Sequence, residues 1–267
     1  GFDQTRGAPM GNDRALQPAW DFLQQHLGGF VGSPGFLLTA VVLGIYLPGI
    51  AFSTIDVFVT KRMTARQCGA VYWRAMKGYG TVYLAALAVF VFVPLPFSFD
   101  VPTEAPTTAE FLRDLVLYFL IGDFLSYWWH RAEHRQSWYA KRVHRMHHTD
   151  RPPLSIWTAM VVHPVEGLSV FVFFHFYGIA FPIHLFTFAI AAFAMTAVTM
   201  VTHSGYRLPV YDSIFAPAAG HDVHHTNREP TNVSVVLTLC DRLFGTYQPA
   251  TYRSVPDRER VLQAEGT

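Results

Sequence analysis

Nine of the thirteen histidines in this chain of 267 residues stand in spacings that suit metal ligation or at the end of an expected helix. His130 and His134 form H-x3-H, and His144, His147 and His148 form H-x2-H-H. The second pattern returns as His221, His224 and His225, while His203 stands just past the end of an apolar run. Residues three or four apart share a helix face at about 3.6 residues per turn, so each group is expected to turn its imidazoles in one direction. One tetrahedral zinc needs about four ligands. Nine imidazoles are too many for one ion and suit two, each of five or six coordination, with positions left open for water or dioxygen. Cys68 and Cys240 supply neither a C-x2-C pair nor a disulfide framework. The donors are therefore imidazoles, which suit iron, zinc or copper better than magnesium or calcium. His26, His175 and His184 stand alone and read as ordinary core or surface residues.

The elements that must carry these residues are apolar. Hydrophobic residues make up 51% of the chain, charged residues only 15%, and the apolar ones are gathered in long runs. A net charge of +1 with no basic block excludes nucleic-acid recognition. No charged stretch followed by an apolar core and a small-residue cleavage site opens the sequence, so no signal peptide is expected. Residues 1–33 form an N-terminal segment in which Leu16, Trp20, Leu23 and Leu27 recur at helical spacing; this predicts a short amphipathic helix, either interfacial or packed. Residues 34–109 are expected to hold two membrane spans, one from Phe36 to Val59 with a kink at Pro48-Gly49, the other from about Gly80 to Phe97. Residues 110–247 begin with a third span, about Glu110 to Trp129, that delivers His130. Two further apolar runs, Val165 to Phe181 and Ile183 to Val201, read as two spans or a shallower hairpin. Residues 248–267 are a polar tail, expected as a surface strand or loop.

Lys61, Arg62, Arg66, Arg74 and Lys77 lie in one loop, and 98–110 has no Lys or Arg, which puts the first in the cytoplasm and the second outside. Every histidine group then falls on the cytoplasmic side. The expected fold is an all-α integral membrane protein of four to five transmembrane helices, with a cytoplasmic helical cap carrying a histidine-rich dimetal site. Asp123 lies two helical turns before His130 and inside the membrane, where an ionisable group needs a partner. It is a candidate to accept the free N–H of a ligating histidine from behind, or else a polar residue bonded within the bundle. Asp150 and Asp222 are weaker candidates for the same task.

These residues resemble the membrane fatty acid hydroxylase and sterol desaturase superfamily. The resemblance lies in D-x3-Y-W-x-H-R-x2-H at Asp123 to His134, in His144 to His148, in H-P-V-E at His163 to Glu166, in His221 to His225, and in Asn232 followed by DRLFGTY at Asp241 to Tyr247. It covers about residues 110–247, half the chain. It implies that the nine histidines named above are metal ligands, with His163 a ligand or a support for one, and with Glu166 and Asn232 as supports. Thr149-Asp150 and Val161 depart from the commoner family pattern, as do Thr199 and Arg207 where some members carry an additional histidine. The family's chemistry uses two iron ions, dioxygen and two electrons to hydroxylate or desaturate an unactivated C–H bond of a lipid: fatty acyl, sterol, carotenoid or related. No G-x-G-x-x-G and no flavin or haem motif is present, so the electrons require a separate donor, cytochrome b5-like or a ferredoxin with its reductase. Arg135, Lys141, Arg142 and Arg145 offer a basic patch for an acidic donor. Two rivals stand: a desaturase or demethylating oxidase on the same scaffold, and a membrane zinc-binding protein or metal transporter. Transporters bind near the mid-membrane on broken helices, whereas these histidines fall beyond the spans.

Overall fold

A computed structural model describes residues 13–92, 99–152, 154–226 and 230–250, and every regular element among them is helical. In chain order the helices are α1 Gln17–Leu27, α2 Pro34–Thr54, α3 Ala65–Ala75, α4 Thr81–Phe92, α5 Thr108–Arg135, α6 Ser137–Arg142, α7 Pro164–Ala180, α8 Leu185–Thr202, α9 Pro209–Asp212, α10 Ala218–Thr226 and α11 Leu239–Leu243. Their starts follow local chemistry. Thr64 with Gln67 and Thr107 with Glu110 close reciprocal capping boxes that open α3 and α5. Proline occupies the first turn of α1, α2, α7 and α9, where its missing N–H costs nothing.

Pro34–Val59, which is α2 with a following wider turn, and Leu185–Thr202 are long and apolar enough to cross a membrane by length and composition. The first contains Pro48 and continues through it to Thr54. α7 is apolar but has 17 residues, α4 is described over 12, and the rest of the span expected to reach Phe97 lies at 93–98, outside the described residues. α5 has 28 residues and carries Asp114 and Asp123 among its buried positions. α2 packs mainly on α8, and α5 mainly on α7. Small residues let these pairs approach: a Cβ on Gly44 would stand 2.6 Å from the Phe193 carbonyl oxygen, and one on Gly122 2.8 Å from that of Phe174.

The bundle has two ends. At one, the fully buried Trp20 of α1 donates its indole N–H to Pro102 O at 2.7 Å and meets His184 edge-on, so α1 is packed against the 99–105 loop and the start of α8. Phe22 and Leu27 on its other side are exposed. At the opposite end lie the start of α7, the ends of α5 and α8, and the whole of α3, α6 and α10. The segment 61–77, read from sequence as a loop, holds α3, which packs on the turn Ile156–Met160 through Tyr72 and Trp157. The polar tail expected at 248–267 is described only to residue 250, without a strand there.

Candidate metal centre

The last two turns of α5 bring His130 and His134 to this second end, α6 reverses the chain, and a short 3-10 turn, His144–Thr149, follows. His203 closes α8, and α10 carries His221, His224 and His225. The nine imidazoles meet in two groups. In one, His130, His134, His144, His148 and His224 each offer a ring nitrogen, all within 4.8 Å of one another; in the other, His147, His203, His221 and His225 do the same. The groups adjoin, with the rings of His148 and His225 4.4 Å apart.

This corrects the expectation that each H-x2-H-H box points one way. In both boxes the first and last histidines, four apart, serve one group, and the middle one goes to the other: His147 leaves His144 and His148, and His224 leaves His221 and His225. On α10, residues i and i+4 lie about 40° apart around the helix, whereas i+3 falls on the other side of i, so its box straddles two centres at the seam; the 144–149 turn is 3-10, in which i and i+3 would eclipse. His148 also departs from helical geometry at ψ 16°.

The donor chemistry fits cations. His130 Nδ1–H donates to Val233 O at 2.8 Å, and His224 Nδ1–H to Thr231 O at 2.8 Å. Each Nε2 is then a bare lone pair, yet these two nitrogens stand 3.1 Å apart with no proton to share. His144 and His134 at 3.0 Å, His134 and His224 at 3.1 Å, and His203 and His221 at 2.8 Å are equally close Nε2 pairs. Two nitrogens about 2.1 Å from one ion and at right angles to each other stand roughly 3.0 Å apart. Burial keeps the rings neutral, as ligation requires. It lowers His130 and His203 to about 4, His148 to about 3 and His134 to about 2, and the other five lie well below the usual histidine value.

Behind the rings, Glu166 Oε1 accepts from His144 Nδ1–H at 2.8 Å, and Glu133, which sequence reasoning passed over, stands 3.6 Å from the same nitrogen. Burial raises the Glu133 carboxyl to about 7. Its only signal in sequence was its place beside His134 on the inward face. Asp123 does not reach an imidazole: it accepts from the Leu237 amide at 3.1 Å. Asp241 accepts from the amides of Val233 and Ser234, and so holds the carbonyl that His130 uses. Asn232, at φ 48°, donates to Gly220 O and Gln248 O and ties the loop to the start of α10. Asparagine tolerates that left-handed backbone better than most residues. His163 lies outside both groups; it caps α7, its Nδ1 accepting from the Val165 amide at 3.2 Å. Asp150 pairs with Arg74, and Asp222 is buried beside His221.

A second support was not foreseen. Arg62 bridges the fully buried Asp56 at 2.6 Å and donates to the Ser204 carbonyl, and Tyr206 donates to Asp56 at 2.6 Å. This ion pair ties the end of the first apolar helix to the residue after His203. An acid within an apolar run, with arginine six residues on, was its visible mark.

A cavity of about 90 Å³ opens on the histidines, lined by His130, His147 and His203 on one side and by Val170, Phe174 and Thr196 on another. The sequence profile of the fatty acid hydroxylase family matches residues 115–246. A cholesterol 25-hydroxylase-like protein of Caenorhabditis elegans is 30% identical over 252 residues, covering 88% of this chain and 82% of that protein. Methylsterol monooxygenase 1-1 of Arabidopsis thaliana is 33% identical over 147 residues, covering 53% and 49%. A very-long-chain aldehyde decarbonylase of Oryza sativa subsp. japonica is 28% identical over 253 residues, covering 86% and 91%. No solved structure matches the chain.

Proposed function

This chain belongs to the fatty acid hydroxylase family, and on that premise we propose that it is a membrane-bound non-haem di-iron oxygenase that hydroxylates an unactivated C–H bond of a lipid. One observation carries the reading: nine imidazoles gathered in two adjoining groups border a cavity between apolar helices. His130, His134, His144, His148 and His224 would hold one ion and His147, His203, His221 and His225 the other. When bound, the ions would supply the activation of dioxygen with two electrons. One oxygen atom enters the C–H bond, and the other leaves as water with two protons.

The protein's own contribution is positional. The carbonyls of Val233, Thr231 and Thr199 and the Glu166 carboxylate fix which nitrogen of His130, His224, His203 and His144 faces inward. Val170, Phe174 and Met200 exclude water from the reacting chain. The four to five spans fall within α2, α4, α5 as far as Trp129, α7 and α8, and the histidine end faces the cytoplasm. Arg135, Lys141, Arg142 and Arg145 are exposed at that end and would receive an acidic electron donor, cytochrome b5-like or a ferredoxin.

Aerobic whole-cell lipid profiling of the wild type beside His147→Ala tests the reading. A lipid heavier by one oxygen in the wild type alone supports hydroxylation, and a loss of two hydrogens makes it a desaturase. Indistinguishable lipids, with the wild type folded and metal-loaded, would overturn it.

A further inference from the structure

His175 is one of the isolated histidines, buried in α7 with 2% exposure. Its Nδ1 meets the Tyr118 hydroxyl of α5 at 2.5 Å, and its other ring nitrogen has no hydrogen-bond partner among the described residues. An unspent polar nitrogen inside an apolar bundle is costly unless something hydrogen-bonds it. The ring lines two cavities at once: the one that opens on the histidine groups and a second, of about 320 Å³, toward the other end of the bundle. Leu37, Val41, Phe171, Ile179, Phe188 and Ala192 line that outer cavity, and none of them is polar. His175 is thus the polar side chain of an otherwise apolar outer cavity, at its junction with the inner one.

Its depth is set by helix geometry. It lies nine residues beyond Glu166 on α7, about 14 Å along the axis, and Tyr118 lies twelve residues before His130 on α5, about 18 Å. Both figures are near half the roughly 30 Å apolar thickness of a bilayer.

We propose that His175, oriented by Tyr118, anchors the polar end of the substrate, so that the enzyme takes a lipid with one neutral hydroxyl or carbonyl oxygen and attacks it about 14–18 Å from that oxygen. The inference deepens the oxygenase reading and rests on it. A hydroxyl both donates and accepts, so it satisfies either tautomer of the ring. Charged or zwitterionic headgroups are excluded, because no charged side chain lines the outer cavity and an unpaired charge there is expensive. The outer cavity is the way in from the lipid, and the inner one seats the reacting carbon chain.

The test is binding, which needs no turnover. Zinc-loaded protein in nanodiscs is given radiolabelled hexadecanol, and unlabelled hexadecanol or hexadecane competes, with each compared at equal mole fraction in the bilayer. The wild type is expected to prefer the alcohol by about tenfold, the worth of one buried hydrogen bond. His175→Phe should bring the two within about twofold while keeping wild-type metal content, and His175→Gln should restore part of the preference. Equal binding of alcohol and alkane by the wild type, or an unchanged preference in His175→Phe, overturns the proposal. If His175→Phe fails to fold, Tyr118→Phe replaces it and should weaken the preference about threefold; an unchanged preference there also overturns it. Preference for the alcohol without any oxidised lipid in cells would sink the oxygenase reading and leave the anchor standing.

Discussion

The two histidine groups are built from the same boxes but are not equally held. In the five-membered group three rings are fixed from behind: His130 by Val233 O, His224 by Thr231 O and His144 by Glu166. In the four-membered group only His203 is, through Thr199 O at 2.9 Å. The Nδ1 atoms of His147, His221 and His225 have no hydrogen-bond partner among the described residues. A fixed tautomer costs less to order when an ion arrives, so the five-histidine group is the better prepared and the four-histidine group has coordination to spare. The latter also puts His147 and His203 on the cavity wall, where a small molecule and a lipid chain can both approach.

The largest expected effect separates the groups directly. His147→Ala leaves three donors in the weaker group; metal content should fall from two ions per chain toward one, and lipid oxidation at least about 100-fold. His134→Ala leaves four donors in the stronger group and should retain more metal. Elemental analysis of both purified variants decides it, and the reverse order breaks the comparison. Next in size is Glu166→Gln, which removes the carboxyl group that meets His144 Nδ1. Supports of this kind are worth about 10- to 100-fold in metal affinity, so chelator competition should show a loss in that range, confined to one of the two ions.

Acid should act on the metal-free protein. The folded-state values of His130 and His203, about 4, lie below the ordinary histidine value of about 6.5. Between these limits the unfolded chain binds more protons than the folded one, so stability falls as pH drops from about 6.5 toward 4 and is fully present above that window. A melting temperature several degrees lower at pH 5 than at pH 7.5 is expected for chelated protein, with a smaller shift once metal is bound, because bound metal opposes protonation.

Much of this centre was legible in the chain because ligand spacing is local. H-x3-H and the two H-x2-H-H boxes identified eight of the nine converging histidines, and the apolar runs located the helices that end beside them, His203 among those ends. The division between two groups was not legible, since it depends on how α5, α8, α10 and the 144–149 turn meet across the seam. Asp123 misled for the same reason. Helical phase put it on the face of His130, but the Leu237 amide, more than a hundred residues on, claims its oxygen. Glu133 and the Asp56–Arg62 pair were hidden because their partners are distant: Glu133 faces His144 across a chain reversal, and Arg62 reaches the carbonyl of Ser204. The helix in 61–77 had a signal that went unread, the Thr64-x-x-Gln67 capping box.

The smallest expected effect concerns the histidine that stands apart from both groups. His163 precedes the proline that opens α7, and its ring accepts the Val165 amide as a cap, one of the backbone donors a helix start leaves unpaired. His163→Ala should therefore cost stability by about 1 kcal/mol, the ordinary worth of a cap, and leave both ions in place. His163→Asn, which restores an acceptor at the same position, should recover most of that loss. Because Glu166 sits on the first turn of α7, a loosened cap acts on His144 only through the helix start, so any effect on metal should be far below that of Glu166→Gln. Were His163→Ala to lose an ion as His147→Ala does, the four-histidine group would have a fifth member, and the contrast between a well-held and a sparsely held site would disappear.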